Sequence, residues 1–376
     1  MKARTTASRW LLAGAMVAVA AGCGSSSKSN SAGTGTTAAT TTTAATTTTA
    51  ATAASSADTG GTTASTPAST GTAGSTAGMT GSGGGDAGAA ITLAVNPWTG
   101  SAVNAAVAQV VLESKLNTKV KLLDIDENAT WPGMDSGSID AVLEVWPSGH
   151  AADVKTYIDE KKSVVNIGVL GPDAKIGWYI PTAMLKDHPE LKTWEGFKNP
   201  DIAKLFATAE SGDKGQFLMG DPSYVSYDEQ IIKNLNLPLK FVVAGSEAAL
   251  ITAIKTAVAD NSPLLMQFWQ PHWLQSQVQL TQVKLPDVTD ACLASAAAAD
   301  GKYACDYPVD HLFKAASAKL QAKNPTAFKF LSKMKLTTDQ QNQIAAMIDG
   351  DAGMSREDAA KKWVDANPDI VKGWLS

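Results

Sequence analysis

Between residues 24 and 90 the chain is almost entirely Thr, Ala, Ser and Gly, and only Lys28, Asp58 and Asp86 carry charge. Such a tract holds too little apolar bulk to offset the entropy of ordering it. It cannot contribute to a core, so whatever folds must be built from about residues 91–376. As a flexible chain of about 65 residues it has an r.m.s. reach of about 45 Å, which makes it a disordered tether. Its threonines are candidate positions for O-linked sugars. The remainder is long enough for two ordinary domains.

What precedes the tether reads as an export signal over residues 1–22. Lys2, Arg4 and Arg9 form a basic start, and Leu11–Ala21 is apolar but too short to span a bilayer. The stretch ends Ala20-Ala21-Gly22-Cys23, which resembles a bacterial lipobox. Cys23 would then be lipidated and become the first mature residue, holding the protein on the outer face of the cytoplasmic membrane. An ordinary secretory signal with a chance cysteine is the alternative.

Three of the 31 basic residues lie in that signal, leaving 28 against 36 acidic, a balance of −8. A nucleic-acid partner needs a basic face and is excluded on this ground. Beyond the signal the only arginine is Arg356, so a bidentate arginine clamp on an anionic ligand is not expected. Cys292 and Cys305 are the only cysteines besides Cys23. In an oxidising compartment they are expected to close a short structural disulfide loop. Free thiols or half a metal site are the alternatives. The metal reading is poor, because no Cys-x-x-Cys occurs and His150, His188, His272 and His311 are scattered. No metal or cofactor is expected.

Apolar runs over Ile91–Asn96, Lys119–Ile125 and the segment ending at Trp146 predict strands. They alternate with an Ala/Val-rich helix to about Glu113, a short helix opened by Trp131-Pro132, and a helix from about Ala151. This alternation predicts an α/β fold with a parallel sheet. Val164–Val169 and Gly177–Ile180 read as two further strands, the second starting a new unit. That unit contains a helix at Asn199–Phe206, strands at Gln216–Met219 and Lys240–Val243, and helices at Tyr227–Leu235 and Glu247–Val258, the last capped by Ser246. Strands at Leu264–Trp269 and Gln279–Leu285 follow. Asn324-Pro325, Thr337 or Thr338, Ser355 and Asn367-Pro368 each open a C-terminal helix.

Two strands end alike. Ala141–Trp146 runs into Pro147-Ser148-Gly149-His150, and Leu264–Trp269 runs into Gln270-Pro271-His272-Trp273. Ligands of open α/β sheets bind beyond the carboxyl ends of strands. Two indoles delivered there predict a pocket walled by aromatic faces, which suits a quaternary ammonium. Trp194, Trp363 and Trp374 read as packing, as do Trp131 and Trp273.

With those segments stand Asn96-Pro97-Trp98-Thr99-Gly100-Ser101, Ser138-Ile139-Asp140 leading into Glu144-Val145-Trp146, Asp221-Pro222-Ser223-Tyr224, Ile231–Leu235 and Ala244–Leu250. Together these motifs resemble the glycine betaine/choline-binding proteins of ABC importers, over essentially all of residues 91–376. The resemblance implies a two-lobed, periplasmic-binding-protein-like clamshell of type II. Its lobes would be about residues 91–173 with 288–376, and about 174–287. It implies a cage of Trp146, Tyr224 and Trp269 around a trimethylammonium group, with tyrosine where relatives usually carry tryptophan. It further implies a ligand carboxylate held by His150 and by the backbone N–H groups of Val225 and Ser226 at a helix start. Trp98 and Trp178 are expected along the cleft or hinge, and Tyr227 and Asp228 are alternative partners for a hydroxyl or a bare cation. The expected function is a monomeric, lipid-anchored, extracytoplasmic receptor that delivers glycine betaine to a membrane permease driven by a cytosolic ATPase. Choline, carnitine and proline betaine are the alternatives within that class. A wall-binding structural lipoprotein and a secreted hydrolase are distant ones, and no Gly-x-Ser-x-Gly elbow supports the latter.

Overall fold

The structure, a computed structural model, describes residues 88–376. The export signal, Cys23 and nearly all of the tether lie outside the described residues. In chain order β1 (Ile91–Val95), α1 (Thr99–Leu116), β2 (Val120–Asp124), α2 (Glu127–Ser136) and β3 (Ala141–Val145) form the first half, followed by the short α3 (Ala151–Asp153) and a π-helix at Val154–Glu160. Every one of Ala105, Ala106, Val107 and Ala108 in α1 is buried, because this helix is covered by two C-terminal helices, Thr338–Asp349 and Arg356–Ala366, as well as by the sheet. Its Ala/Val composition thus fits a helix apolar all round. The strand β4 runs from Val164 to Pro181. After it come α4 (Pro200–Lys204), β5 (Gly215–Met219), α5 (Asp228–Asn234), β6 (Leu239–Val243), α6 (Glu247–Asp260), β7 (Met266–Gln270) and β8 (Leu280–Val283). The chain closes with α7 (Asp290–Ala298), β9 (Asp310–Ser317) and α8 (Leu320–Lys323), then α9 (Pro325–Lys333), α10 (Thr338–Asp349), α11 (Arg356–Ala366) and α12 (Pro368–Leu375).

Strand order is β2-β1-β3-β9-β4-β7-β5-β6, with β8 also on β4. The β1–β2, β1–β3, β5–β6 and β5–β7 pairs are parallel, as the alternation of strands and helices predicts. The connecting strands are not: β9 is antiparallel to both β3 and β4, and β4 is antiparallel to β7 and β8. The fold is thus two parallel α/β halves bridged by antiparallel strands.

Three sequence expectations change. Val164–Val169 and Gly177–Ile180 are one strand, not two. Gly-Pro-Asp at 171–173 looks like a turn, but the strand absorbs it as register shifts after Asn166 and Val169, with Gly168 and Gly171 at φ 107° and 139°. The first portion of β4 pairs with β9 and the second with β7 and β8, so this strand passes from one half to the other. Pro132 sits inside α2 rather than at its first turn, since the helix opens at Glu127. The return to the first half begins at Asp310, not near 288. Ala296, Tyr303, Cys305 and Tyr307 pack with Phe217, Ile231 and Leu265 of the second half. Cys292 and Cys305 are bonded, with S–S 2.07 Å, which pins α7 to that packing.

The strand β9 has no counterpart in the sequence reading, because Asp310, His311 and Lys314 interrupt its apolar pattern. Lys314 is nevertheless fully buried. Its Nζ donates to the carbonyls of Leu331 (2.6 Å), Ser332 (3.2 Å) and Met334 at the carboxyl end of α9, where a helix dipole favours a cation.

Most predicted helix starts recur. Ser246 accepts from Ala249 N–H and Asn324 from Ala327 N–H. Ser355-Arg356-Glu357-Asp358 reads as a capping box, but only its first half forms, Ser355 accepting from Asp358 N–H; the full box is at Thr337 with Gln340, and Asn367 makes no side-chain cap. No helix among the described residues is long and apolar enough to cross a membrane.

Candidate functional site

Five strands of the two halves point their carboxyl ends at one cavity. Beyond β1 comes Trp98, beyond β2 Glu127, beyond β3 Trp146, beyond β5 Tyr224, and Trp269 lies at the end of β7. The four rings and Glu127 line the cavity, with Gly149, Ile176, Val225 and Gln267 filling the gaps between them. Tyr224 stands edge-on to both Trp98 (centroids 5.9 Å, 74°) and Trp269 (5.7 Å, 89°). Its hydroxyl donates to the Pro97 carbonyl across the two halves at 2.9 Å. That bond fixes the tyrosine ring and uses up the hydroxyl that tryptophan would lack.

Two buried carboxylates hold the aromatic walls. Glu144, the fourth residue of β3, takes four neutral donors. Its Oε1 accepts from the indole N–H of Trp98 (2.7 Å) and Trp146 (3.0 Å), and its Oε2 from Asn104 (2.6 Å) and Gln341 (2.7 Å). Asp228, at the start of α5, accepts from Trp178 Nε1 (2.7 Å), Tyr307 Oη (3.0 Å), Gln267 Nε2 (2.9 Å) and Ser226 Oγ (2.5 Å). Burial opposes the charge of both, and the donated hydrogen bonds oppose that shift. The net result is a pKa raised to about 7 for Glu144 and about 6 for Asp228.

The other end of the cavity is built differently from the sequence expectation. The Val225 N–H, predicted to receive a ligand carboxylate, donates to Glu127 Oε2 at 2.9 Å. His150, predicted to do the same, is 2% exposed and lies outside the lining. Its Nε2 is 2.7 Å from Glu127 Oε1 and its Nδ1 is 2.9 Å from Asp153 Oδ2. Burial disfavours an imidazolium there, but the bonds to Asp153 and Glu127 outweigh it and raise the pKa to about 9. As an imidazolium it donates from both nitrogens, so the Trp131 Nε1 lying 3.0 Å from Nδ1 is a packing neighbour rather than a donor. The cavity therefore meets Glu127, backed by His150, where two of the three expected donors, His150 and the Val225 N–H, are already engaged.

Trp146, Tyr224, Trp269, Trp98 and Val225 are brought together in the lining. His150, Ser226 and Trp178 are one layer back. The Ser226 hydroxyl, not the backbone N–H expected to meet a ligand, donates to Asp228, and Trp178 is fully buried with its N–H on the same carboxylate. Tyr227 and Asp228 also lie outside the lining: the Tyr227 hydroxyl donates to Ser148 O, and Asp228 is saturated by its donors. Trp363 and Trp374 stack on each other at 6.1 Å, and Trp131 and Trp273 are buried. Sequence reasoning missed Glu127, Gln267 and Glu144. Glu127 had the same signal as the tryptophans, a position just beyond the carboxyl end of a strand. Glu144 stands in one of the motifs that carry the resemblance, but its role had no signal, since a charged residue inside an apolar run reads as an outward-facing side chain.

The chain matches the family model described as the substrate binding domain of ABC-type glycine betaine transport system over residues 89–366. It is 28% identical over 288 residues to the trimethylamine N-oxide-binding protein of Pelagibacter ubique, covering 74% of this chain and 88% of that one. Its fold is that of lactococcal OpuAC in the closed form complexed with glycine betaine. There the TM-score is 0.59 at 20% identity, over 76% of this chain and 99% of that one. It is also that of an ABC-transporter choline-binding protein in complex with choline, with TM-score 0.60 at 19% identity over 76% and 91%.

Proposed function

The chain belongs to the family of substrate-binding domains of ABC-type glycine betaine transport systems, and we propose that it is the extracytoplasmic receptor for a small trimethylammonium solute. The family is one of solute-binding proteins of transporters, not of enzymes. The observation that carries the reading is the cavity itself: Trp98, Trp146, Tyr224 and Trp269 present aromatic surfaces to one space, and Glu127 is its charged lining group. Burial first, and then the carboxylates Glu247, Asp221, Glu127 and Glu144, push the Tyr224 phenol well above its usual pKa. A ring held in that negative field is matched to a cation. Each cation–π face contributes about 0.5 kcal/mol when exposed to about 2 kcal/mol when desolvated, so three or four desolvated faces sum to about 6–8 kcal/mol, the scale of a micromolar affinity before the costs of association.

Glu127 bears on the ligand's other end. Glycine betaine, the foremost expectation from sequence, would bring its carboxylate against Glu127 or would have to displace it from the Val225 N–H. Like charges so placed are unfavourable. Choline, whose hydroxyl can donate to a carboxylate, avoids that conflict, and the relative named for trimethylamine N-oxide likewise takes a trimethyl nitrogen without a carboxylate. We therefore place choline-type solutes ahead of glycine betaine for this chain. Solute bound between the halves favours their closed arrangement by population shift. The closed receptor, a monomer tethered through a lipid on Cys23, then docks on the permease, and the cytosolic ATPase powers uptake.

A thermal-shift and fluorescence panel of choline, glycine betaine, carnitine, proline betaine, trimethylamine N-oxide and proline tests this. Choline should stabilise the full chain more than glycine betaine does. Trp146→Ala should weaken choline binding by about tenfold or more, the loss of one desolvated face. Stabilisation by proline alone, or unchanged affinity in Trp146→Ala, contradicts the aromatic cage. A clear preference for glycine betaine would show that Glu127 yields its place to the ligand carboxylate.

A further inference from the structure

Glu144 is more than the proposed reading of the cavity requires. It is 3% exposed, stands outside the lining, and has no cationic partner among its four hydrogen bonds. An ionised carboxylate can accept all four, and its charge is then uncompensated in the interior, which is costly. The partner that is missing is a cation, and the cavity lined by the Trp98 and Trp146 rings, whose N–H groups Glu144 holds, is where the proposed ligand would bring one. A second observation concerns its neighbour Asn104. The Asn104 Oδ1 is buried without a hydrogen-bond partner. A half-turn of that amide would present Oδ1 to Glu144 and give a carboxyl proton an acceptor. The pocket can thus house Glu144 ionised, as its four donors require, or protonated, with Asn104 turned.

We propose that Glu144 is the counter-ion of the bound solute, acting through the two indoles: cation binding holds it ionised and releases its proton to solvent. The inference rests on the proposed function, since it needs a cationic ligand. An indole N–H bonded to an anionic acceptor carries more electron density on its ring face, which strengthens the cation–π contact. Glu144 is therefore a positioning residue that both orients and charges the aromatic wall. Its pKa of about 7 without ligand, raised by burial, puts the switch near neutrality. Other charged groups facing this region are Glu247, paired with His272, and Asp349, which shares Thr99 with Glu247. Glu127, paired with His150, faces the cavity itself. Each of the two glutamates already has a histidine beside it; Glu144 does not.

The sign follows from linkage. Below the ligand-free pKa the cation must expel a proton in order to bind, so affinity falls with pH. One such group makes choline binding up to about tenfold weaker at pH 6 than at pH 8. The test is calorimetric titration of the full chain with choline at pH 6, 7 and 8, in buffers of different ionisation enthalpy. We expect up to one proton released per choline at pH 6 and almost none at pH 8. Gln341 lies outside the cavity lining but donates to Glu144, so Gln341→Leu should shift the midpoint of the affinity–pH curve upward. Glu144→Gln should weaken binding and abolish the proton release. If Glu144→Gln does not fold, the wild-type proton count and the Gln341→Leu shift still decide. Choline binding with no proton release and a flat pH profile overturns the role of Glu144 and leaves the receptor reading intact. A pH profile unmoved by Gln341→Leu assigns the proton to another group and also overturns it. Absence of binding by any trimethylammonium solute at any pH removes the receptor reading as well.

Discussion

Single residues in this chain act mainly through what buried polar atoms they satisfy. Glu144 and Asp228 each collect four neutral donors and thereby fix Trp98, Trp146, Trp178 and Gln267 in orientation. Lys314 does the converse, one buried cation serving three helix-end carbonyls. Burial pulls its pKa down to about 7, yet a neutral amine has only two hydrogens for three acceptors, so the ammonium fits the site better. Lys314→Met should leave those carbonyls unpaired and destabilise the protein by about 1–3 kcal/mol. Urea denaturation would measure this, and an unchanged midpoint would mean that water replaces the ammonium. At this scale the aromatic residues were legible in the sequence, because a tryptophan next to a proline loop is conspicuous. Their buried carboxylate partners were not, because a sequence displays a charge without its dielectric surroundings.

Secondary-structure elements show where local rules suffice. The caps at Ser246, Asn324, Thr337 and Ser355 are set by hydrogen bonds within three residues, so sequence alone locates them. The strand β4 is the opposite case. Its glycines look like breakers, and only pairing with β9 keeps the backbone extended through them. Gly171 has φ 139°, and a Cβ added there would lie 2.1 Å from the Leu336 carbonyl oxygen. Gly171→Ala should therefore cost more than the about 1–3 kcal/mol of a strained backbone position alone, because α9 and the loop after it must also move. Guanidinium denaturation would show the loss. An unperturbed variant would mean that the irregular part of β4 is loosely held. The same logic explains why β9 was overlooked, since its polar residues find partners only in the assembled fold.

At the scale of the whole molecule, the site exists only where two halves meet. Hydrogen bonds cross it beside the cavity, among them the Tyr227 hydroxyl to Ser148 O and the Thr99 hydroxyl to Glu247. Tyr224 donates to Pro97 O, Val225 to Glu127, Asn128 to Ser223 O and the Thr99 N–H to Glu247. Removing one such bond while keeping the ring should loosen the closed arrangement. Tyr224→Phe should weaken choline binding roughly fivefold, the equivalent of about 1 kcal/mol for a net hydrogen bond. It should also increase the ligand-free radius of gyration in small-angle scattering, with saturating choline restoring the wild-type value. Identical scattering and affinity would show that the Pro97 contact contributes nothing to closure. The sequence by itself determined where folding begins, the α/β class, most helices with their caps, and which aromatic side chains arrive at strand ends. Those features are local or periodic, so short stretches of chain encode them. Tertiary structure alone decided that Glu127 of one half reaches the Val225 N–H of the other, 98 residues away. It alone placed Glu144 behind two indoles with no charge to balance it. Both depend on distances across the assembled fold and on the low dielectric that burial creates, and neither quantity is written in any stretch of sequence.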